Sequence, residues 1–173
     1  MLLGFAALLI AQTVRADDNH AKADHTPSPQ WDMIAFEMNS WGQPIRSWRI
    51  LANGGGSWTV AEREESAPPF SAPSLVWHDI EPEAANYAAL EKILAALPDT
   101  APDADACANF MTDMPYGTLR LTRGATTIEI AWYAGCLEEG YVAFMDILKA
   151  ADVHMEALGK AAPVSRTEAP GSG

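Results

Sequence analysis

The stretch from Thr118 to Trp132, TLRLTRGATTIEIAW, carries the clearest structural signal in this chain of 173 residues. Gly124 and Ala125 form a two-residue loop with glycine in the first position, which a type II′ hairpin turn requires. The resulting register pairs Leu121 with Ile128 and Leu119 with Ile130 on one face, and Arg120 with Glu129 and Thr122 with Thr127 on the other. One face is apolar and the other carries favourable polar pairs, so the segment predicts an antiparallel hairpin.

Upstream of this hairpin, the pattern predicts three more strands. Apolar residues alternate with polar ones around Phe36, Pro44 interrupts the pattern, and further strands follow at 45–52 and 57–62. A three-residue loop over 54–56 would align Ile50 with Val60 and Ala52 with Trp58. A two-residue loop would instead place Trp58 opposite Leu51. We expect the first register, because it puts the apolar residues on one face.

Each group of strands is followed by a helical pattern. Apolar residues repeat every three or four positions after Glu81-Pro82, at Tyr87, Leu90, Leu94 and Leu97. A second stripe runs from about Leu137 to Leu158, and Gly159 is expected to stop that helix. The sequence therefore predicts an α+β domain in the order βββα-ββα, with a single antiparallel sheet of about five strands and both helices packed on one face.

The two ends of the chain differ in composition from this central part. The run MLLGFAALLIA is too short to span a bilayer and suits the apolar region of a signal peptide, although no basic residue precedes it. We expect a signal peptide over 1–16, with cleavage after Ala23 as an alternative to cleavage after Ala16. A buried N-terminal helix is the other interpretation. We also expect a disordered leader over 17–30, one domain over 31–158 and a disordered tail over 159–173. The mature protein is then periplasmic or secreted and has no membrane span.

The net charge indicates which partners are disfavoured, and the two cysteines predict a disulfide. The chain has 11 basic and 23 acidic residues and a formal charge of −12, which argues against nucleic acid or an anionic membrane as partner. Cys107 and Cys136, the two cysteines, flank the hairpin. In an oxidising compartment we expect them to form a structural disulfide, since a redox pair favours the shorter C-x-x-C spacing.

Metal ligands are not indicated by the histidine positions. His20 and His25 lie in an Asp- and His-containing leader, but each misses by one position the third place after a free amine that a tight copper site needs. His78 and His154 have no partner at ligand spacing. We therefore predict no metal and no cofactor.

Two tryptophans are the candidate binding residues. The predicted register places Trp48 and Trp58 in the core, whereas Trp41 lies in the turn Ser-Trp-Gly-Gln-Pro with nothing to hold it inward. Trp77 is the second candidate, in a proline-rich segment over 62–79, where residues 75–77 could also dock as a short edge strand. An exposed tryptophan can stack on a sugar ring or on a partner's apolar surface.

Motifs for common catalytic mechanisms are missing from the sequence. It contains no G-x-S-x-G, H-E-x-x-H, S-x-x-K or G-x-x-x-x-G-K pattern, and paired helix-start carboxylates are explained by the helix dipole. We expect a non-catalytic binding or accessory, inhibitor-like protein of the cell envelope, whose partner is an envelope protein or a small ligand or glycan. The alternative is a small envelope enzyme with its site at the loop 62–79 and the helix starts.

Overall fold

The structure is a computed structural model that describes residues 30–68, 71–98 and 100–170. Within these ranges the chain forms seven strands and two helices in the order ββββα-ββαβ. Their bounds are β1 Met33–Ser40, β2 Gln43–Leu51, β3 Gly56–Glu62, β4 Ser74–Ile80, α1 Ala84–Leu94, β5 Tyr116–Arg123, β6 Thr126–Tyr133, α2 Glu139–Ala161 and β7 Val164–Glu168. The predicted signal peptide and nearly all of the predicted leader lie outside the described residues.

All seven strands join one antiparallel sheet in the order β6-β5-β1-β2-β3-β4-β7. Apolar side chains from the sheet and from both helices form one buried cluster, which includes Ile34, Ile50, Leu90, Leu119 and Leu148. The predicted α+β class and the single antiparallel sheet are therefore confirmed. None of the helices in the described ranges is both long and apolar enough to cross a membrane.

The predicted number of about five strands is wrong, because the sheet gains β4 and β7. Residues 75–77, considered as a short edge strand, belong to a seven-residue strand between β3 and β7. β7 lies within the predicted disordered tail and pairs with β4 along residues 164–168. The chain at 164–168, VSRTE, has no apolar alternation, and its strand conformation depends on the neighbouring edge of β4.

The decisive hairpin folds as its sequence predicts. β5 and β6 pair Leu121 with Ile128 and Arg120 with Glu129, and Gly124 has a φ of 56°. The predicted apolar face is the one that contacts the core, but Ile128 remains 46% exposed. β6 forms one edge of the sheet, so this part of its apolar face extends beyond the buried core.

The turn between β1 and β2 is tighter than the position of Pro44 suggested. Trp41 and Gly42 are its two central residues, with φ values of 51° and 72°. Positive φ at both positions is characteristic of a type I′ hairpin turn, whose twist matches that of the flanking strands. Pro44 is accommodated at an irregularity in the register, where it lies opposite Asn39.

The predicted β2–β3 register is wrong. Trp48 lies opposite Trp58, and Ile50 lies opposite Gly56, because the loop is centred on Asn53 instead of Gly55. The N–H of Leu51 donates to the carbonyl of Gly55 at 2.8 Å and continues this register. The N–H of Gly55 donates to Oδ1 of Asn53 at 2.9 Å and shapes this loop. The indoles of Trp48 and Trp58 nevertheless both enter the core, as expected.

Gly159 does not end the second helix. α2 continues to Ala161, and Gly159 is buried within it against the side chain of Trp58. A Cβ at this position would overlap the indole, so glycine permits close contact between helix and sheet. The domain therefore extends past Leu158.

Cys107 and Cys136 form a disulfide, with their Cα atoms 5.9 Å apart. The bond closes a loop that contains the whole β5–β6 hairpin. Phe110 and Cys136 also form an isolated antiparallel bridge beside it. The segment that leads into β5 is thereby attached to the segment that leads into α2.

Candidate binding groove

Phe36 and Trp132, two of three stacked aromatic rings, line a groove between α2 and the sheet. Phe36 lies between Trp48 and Trp132, with ring centroids 5.3 and 5.2 Å away and interplanar angles of 13° and 8°. Gly117 lies on β5 directly opposite Trp132, and a Cβ there would come within 2.7 Å of Cζ2 of that indole. The glycine therefore allows the ring of Trp132 to lie close to the sheet.

One face of α2 forms the facing wall. Val142, Met145, Lys149, Val153 and Glu156 are spaced by three or four residues and all line the groove. Met38, Met114, Ala134 and Leu137 are among the lining residues that the sheet and its loops provide. The groove has a volume of about 450 Å³. Methionine side chains are flexible and polarizable, so such a surface can adapt to apolar occupants of different shape.

An ionic network lies along the side of the groove nearest β2. Nη1 of Arg46 is 3.2 Å from Oδ2 of Asp152 and 2.6 Å from Oε2 of Glu156. Nζ of Lys160 is 2.6 Å from the other oxygen of Glu156, and Nε1 of Trp48 donates to Oδ1 of Asp152 at 3.2 Å. The network therefore attaches α2 to β2 and orients one ring of the stack.

The pKa values of the two carboxylates in this network are shifted in opposite directions. Burial raises the pKa of Asp152, and the attraction of Arg46 and the hydrogen bond from Trp48 offset only part of that effect. Hydrogen bonds from Lys160 and Arg46 lower the pKa of Glu156. Their shared contact with Arg46 thus links a buried carboxylate to one at the surface.

Apolar side chains remain exposed around the groove. Leu137, Val142 and Val153 line it and are 42, 40 and 57% exposed. Phe110 and Met111, 58 and 45% exposed, belong to the segment joined to the groove wall through Cys136. Trp132 is 2% exposed, and its Nε1 has no hydrogen-bond partner among the described residues. Exposed apolar clusters of this kind are typical of interaction surfaces.

Trp41 lies at the same end of the sheet as the groove. It is 66% exposed and follows Met38 by three residues, which is about 10 Å along a strand. Its left-handed backbone is unusual for a bulky residue and costs on the order of 1–2 kcal/mol relative to glycine. Such strain at an exposed tryptophan is typical of positions retained for contact.

Trp77 lies on the opposite face of the sheet, which neither of the two described helices covers. Its neighbours there include Ser47, Thr59 and Asp79, which together with Trp77 line a shallow concavity of about 570 Å³. Cζ of Arg166 lies 3.9 Å from the centroid of the indole, in a cation–π contact. The structure therefore does not bring Trp41 and Trp77 together.

The amino-acid sequence does not indicate the groove. Its residues come from β1, β2, β6, the loops around β5 and α2, and no short motif joins them. The most useful signal is on α2, where Val142, Met145 and Val153 extend the apolar face of the helix beyond the residues that pack on the sheet. His78 is engaged through Nδ1 with the carbonyl of Ala162 at 2.9 Å, and the described ranges hold no cluster of three metal-ligating side chains.

No protein-family model matches the chain, and no curated protein or solved structure resembles it significantly.

Proposed function

We propose that this protein is an exported, non-catalytic accessory protein that binds an amphipathic helix of an envelope protein in the groove beside α2. The observation that carries the proposal is the groove itself, which is lined by Phe36 and Trp132 of the aromatic stack, three methionines and two exposed valines. One helix of this chain already forms a wall with side chains at helical spacing. A second helix alongside it would bury that stripe through the usual helix-in-groove contact.

Charge favours a basic partner. The chain carries a formal charge of −12, and the groove is lined by three carboxylates, Asp146, Asp152 and Glu156. Of the two cations that line it, Arg46 is already bound to two of those carboxylates. The charge left to favour an apolar helix flanked by Lys or Arg is that of the exposed Asp146 together with the formal charge of −12. Such complementarity speeds association and disfavours acidic competitors.

The disulfide supports export, because such bonds persist in oxidising compartments. The alternative of an enzyme at the proline-rich loop and the helix starts has less support from the geometry. The loop after β3 and the start of α1 lie at opposite ends of β4, whose seven residues span about 23 Å. This distance argues against a single site shared by the residues between β3 and β4 and the start of α1.

A helix library tests the proposal. We would display amphipathic 16-residue peptides with Leu or Met on one face and either Lys or Glu on the flanks, and measure binding to the purified protein. We expect selection of Lys-flanked helices. Val153→Lys should weaken their binding at least tenfold, because it replaces an apolar contact with a cation that also repels the Lys flanks.

Val164→Lys is the matched control, since Val164 is equally exposed, at 56% against 57%, but lies on β7. It should leave peptide binding unchanged. Selection of no helix, selection of Glu-flanked helices, or equal effects of both variants would each overturn the proposal.

A further inference from the structure

β6 is an edge strand with unused backbone hydrogen-bonding groups. The N–H of Tyr133 donates to Oη of Tyr141 at 2.8 Å and so points away from β5. Alternate residues of an antiparallel strand point the same way, so the N–H and C=O of Thr127, Glu129 and Ala131 also point outward. No hydrogen bond within the described residues uses these six groups. Thr127, Glu129 and Ala131 are all exposed.

This edge lacks the features that usually protect a strand from pairing. β6 is eight residues long, pairs with β5 without a bulge, and contains no Pro, Lys or Arg. The other edge is different: β7 has five residues and an irregular register with β4, carries Arg166, and is followed closely by Pro170. Of the two edges, β6 is therefore the one open to another strand.

The sequence of the edge is self-complementary in an antiparallel arrangement. Residues 128–130 are Ile-Glu-Ile, a palindrome centred on Glu129. A two-fold axis at Glu129 would place Ile128 opposite Ile130 of the second copy, and Thr127 opposite Ala131. All three outward-pointing residues would then form hydrogen-bonded pairs, six bonds in total. An axis at Ile128 or Ile130 would leave outward groups unused.

The apolar face at this edge is also incomplete. Ile128 is 46% exposed and lines a depression of about 360 Å³ together with Ile130, Leu121, Leu94 and Leu97. Pairing about Glu129 would bring four isoleucines together at the border of this depression. Burial of the exposed isoleucines would contribute to association in addition to the backbone bonds.

We propose that two copies of this chain associate through β6, antiparallel and centred on Glu129, into one continuous sheet. The two Glu129 side chains meet on the opposite face, where like charges directly across from each other are unfavourable. Each carboxylate, however, is held by its own chain, with Nε of Arg120 2.7 Å from Oε2. The second guanidinium contact, from Nη1 to Glu37 at 2.8 Å, fixes that arginine.

A cross-linking experiment tests both the association and its register. In the proposed dimer the Cα atoms at position 129 face each other in a hydrogen-bonded pair, about 5.5 Å apart, within disulfide range. Glu129→Cys should therefore form a covalent dimer under mild oxidation. Thr127→Cys and Ala131→Cys should not, since each would be about 14 Å from its own copy. Mixed together, those two variants should cross-link to each other.

Sedimentation over a concentration series measures the association without new cysteines. The wild-type protein should show a monomer–dimer equilibrium, and Ile128→Lys should shift the dissociation constant at least tenfold higher by placing a charge at the interface. Val164→Lys, on the other edge, should not. A wild-type monomer at every concentration, an unaffected Ile128→Lys dimer, or equal cross-linking at 127, 129 and 131 would overturn the proposal.

Discussion

Gly159 of α2 lies directly against the indole of Trp58 on β3, with no room for a methyl group between them. Trp58 is 3% exposed, so it cannot move outward without uncovering the core. The contact joins the end of α2 to β3, which lies next to the central strand β2. It also places the last turn of the helix where the chain can enter β7.

The first prediction follows from that contact. Gly159→Ala should lower the free energy of unfolding by about 1–3 kcal/mol or more, because the added methyl overpacks the interface. Gly140→Ala is the control in the same helix, since nothing lies within 4 Å of a Cβ there. It should be neutral or stabilise by up to about 1 kcal/mol. Urea denaturation measures both, and equal effects would disprove the contact.

The second prediction compares the two faces of β5. Leu121→Ala should cost roughly 2–5 kcal/mol, because Leu121 is 7% exposed and its removal leaves a cavity. Arg120→Ala should cost under about 1 kcal/mol, since its ion pairs with Glu37 and Glu129 are exposed to solvent. Thermal melts decide the matter. A large loss for Arg120→Ala would mean that the network on this face carries the stability of the sheet.

The third prediction separates strain from binding at Trp41. Trp41→Gly should raise the free energy of unfolding by on the order of 1 kcal/mol, because glycine adopts the left-handed backbone without a penalty. Trp41→Ala should leave stability nearly unchanged. Both substitutions should weaken binding of the helices selected for the groove, since each removes an indole that is 66% exposed and available for contact. If Trp41→Ala unfolds the protein as badly as Leu121→Ala, Trp41 is a core residue.

The hairpin register was predictable because its determinants are local. A two-residue loop with glycine fixed the pairing of β5 and β6, and every cross-strand pair agreed with it. The β2–β3 register was not predictable, because the conformation of the loop between these strands depends on a segment that is distant in the sequence. Gly54 packs against the carbonyl of Glu83, at the start of α1, and a Cβ would overlap that carbonyl.

The groove was unpredictable for a related reason. Met38 and Trp132 become neighbours only through Gly117, which separates them in the sheet and lacks a side chain. The sequence shows each of these residues without showing that they share one surface. For Trp41, by contrast, the turn sequence alone predicted that the side chain is not held in the core, and it is 66% exposed. Its role in contact stays a prediction.

The fourth prediction concerns the disulfide. Replacing Cys107 and Cys136 together with serine should lower stability by about 2–5 kcal/mol, as expected for a bond that closes a loop of 29 residues. Peptide mapping of the unreduced protein should recover the two cysteines in one linked pair. Because Cys136 and Leu137 line the groove, the double variant should also bind the selected helices more weakly. Free thiols in the freshly purified, unreduced protein would contradict this assignment.

The last prediction is a pH dependence with two opposing parts. The pKa of Asp152 is raised in the folded state, so its contribution to stability is complete below its ordinary value of 3.8 and is lost as the pH rises through the raised pKa. The pKa of Glu156 is lowered, so its contribution is present above its ordinary value of 4.5 and is lost as the pH falls through the lowered pKa.

Asp152→Asn and Glu156→Gln separate these two parts. The free energy of unfolding of Asp152→Asn, relative to that of the wild-type protein, should increase progressively as the pH rises above 3.8. The substitution removes a buried charge, while the amide oxygen can still accept a hydrogen bond from Trp48. The relative free energy of unfolding of Glu156→Gln should decrease as the pH rises through 4.5, because the variant lacks the ion pairs with Arg46 and Lys160. Urea denaturation from pH 3 to 8 measures both differences. The two curves must slope in opposite directions, and parallel curves would show that Asp152 is ionised as readily as an exposed carboxylate.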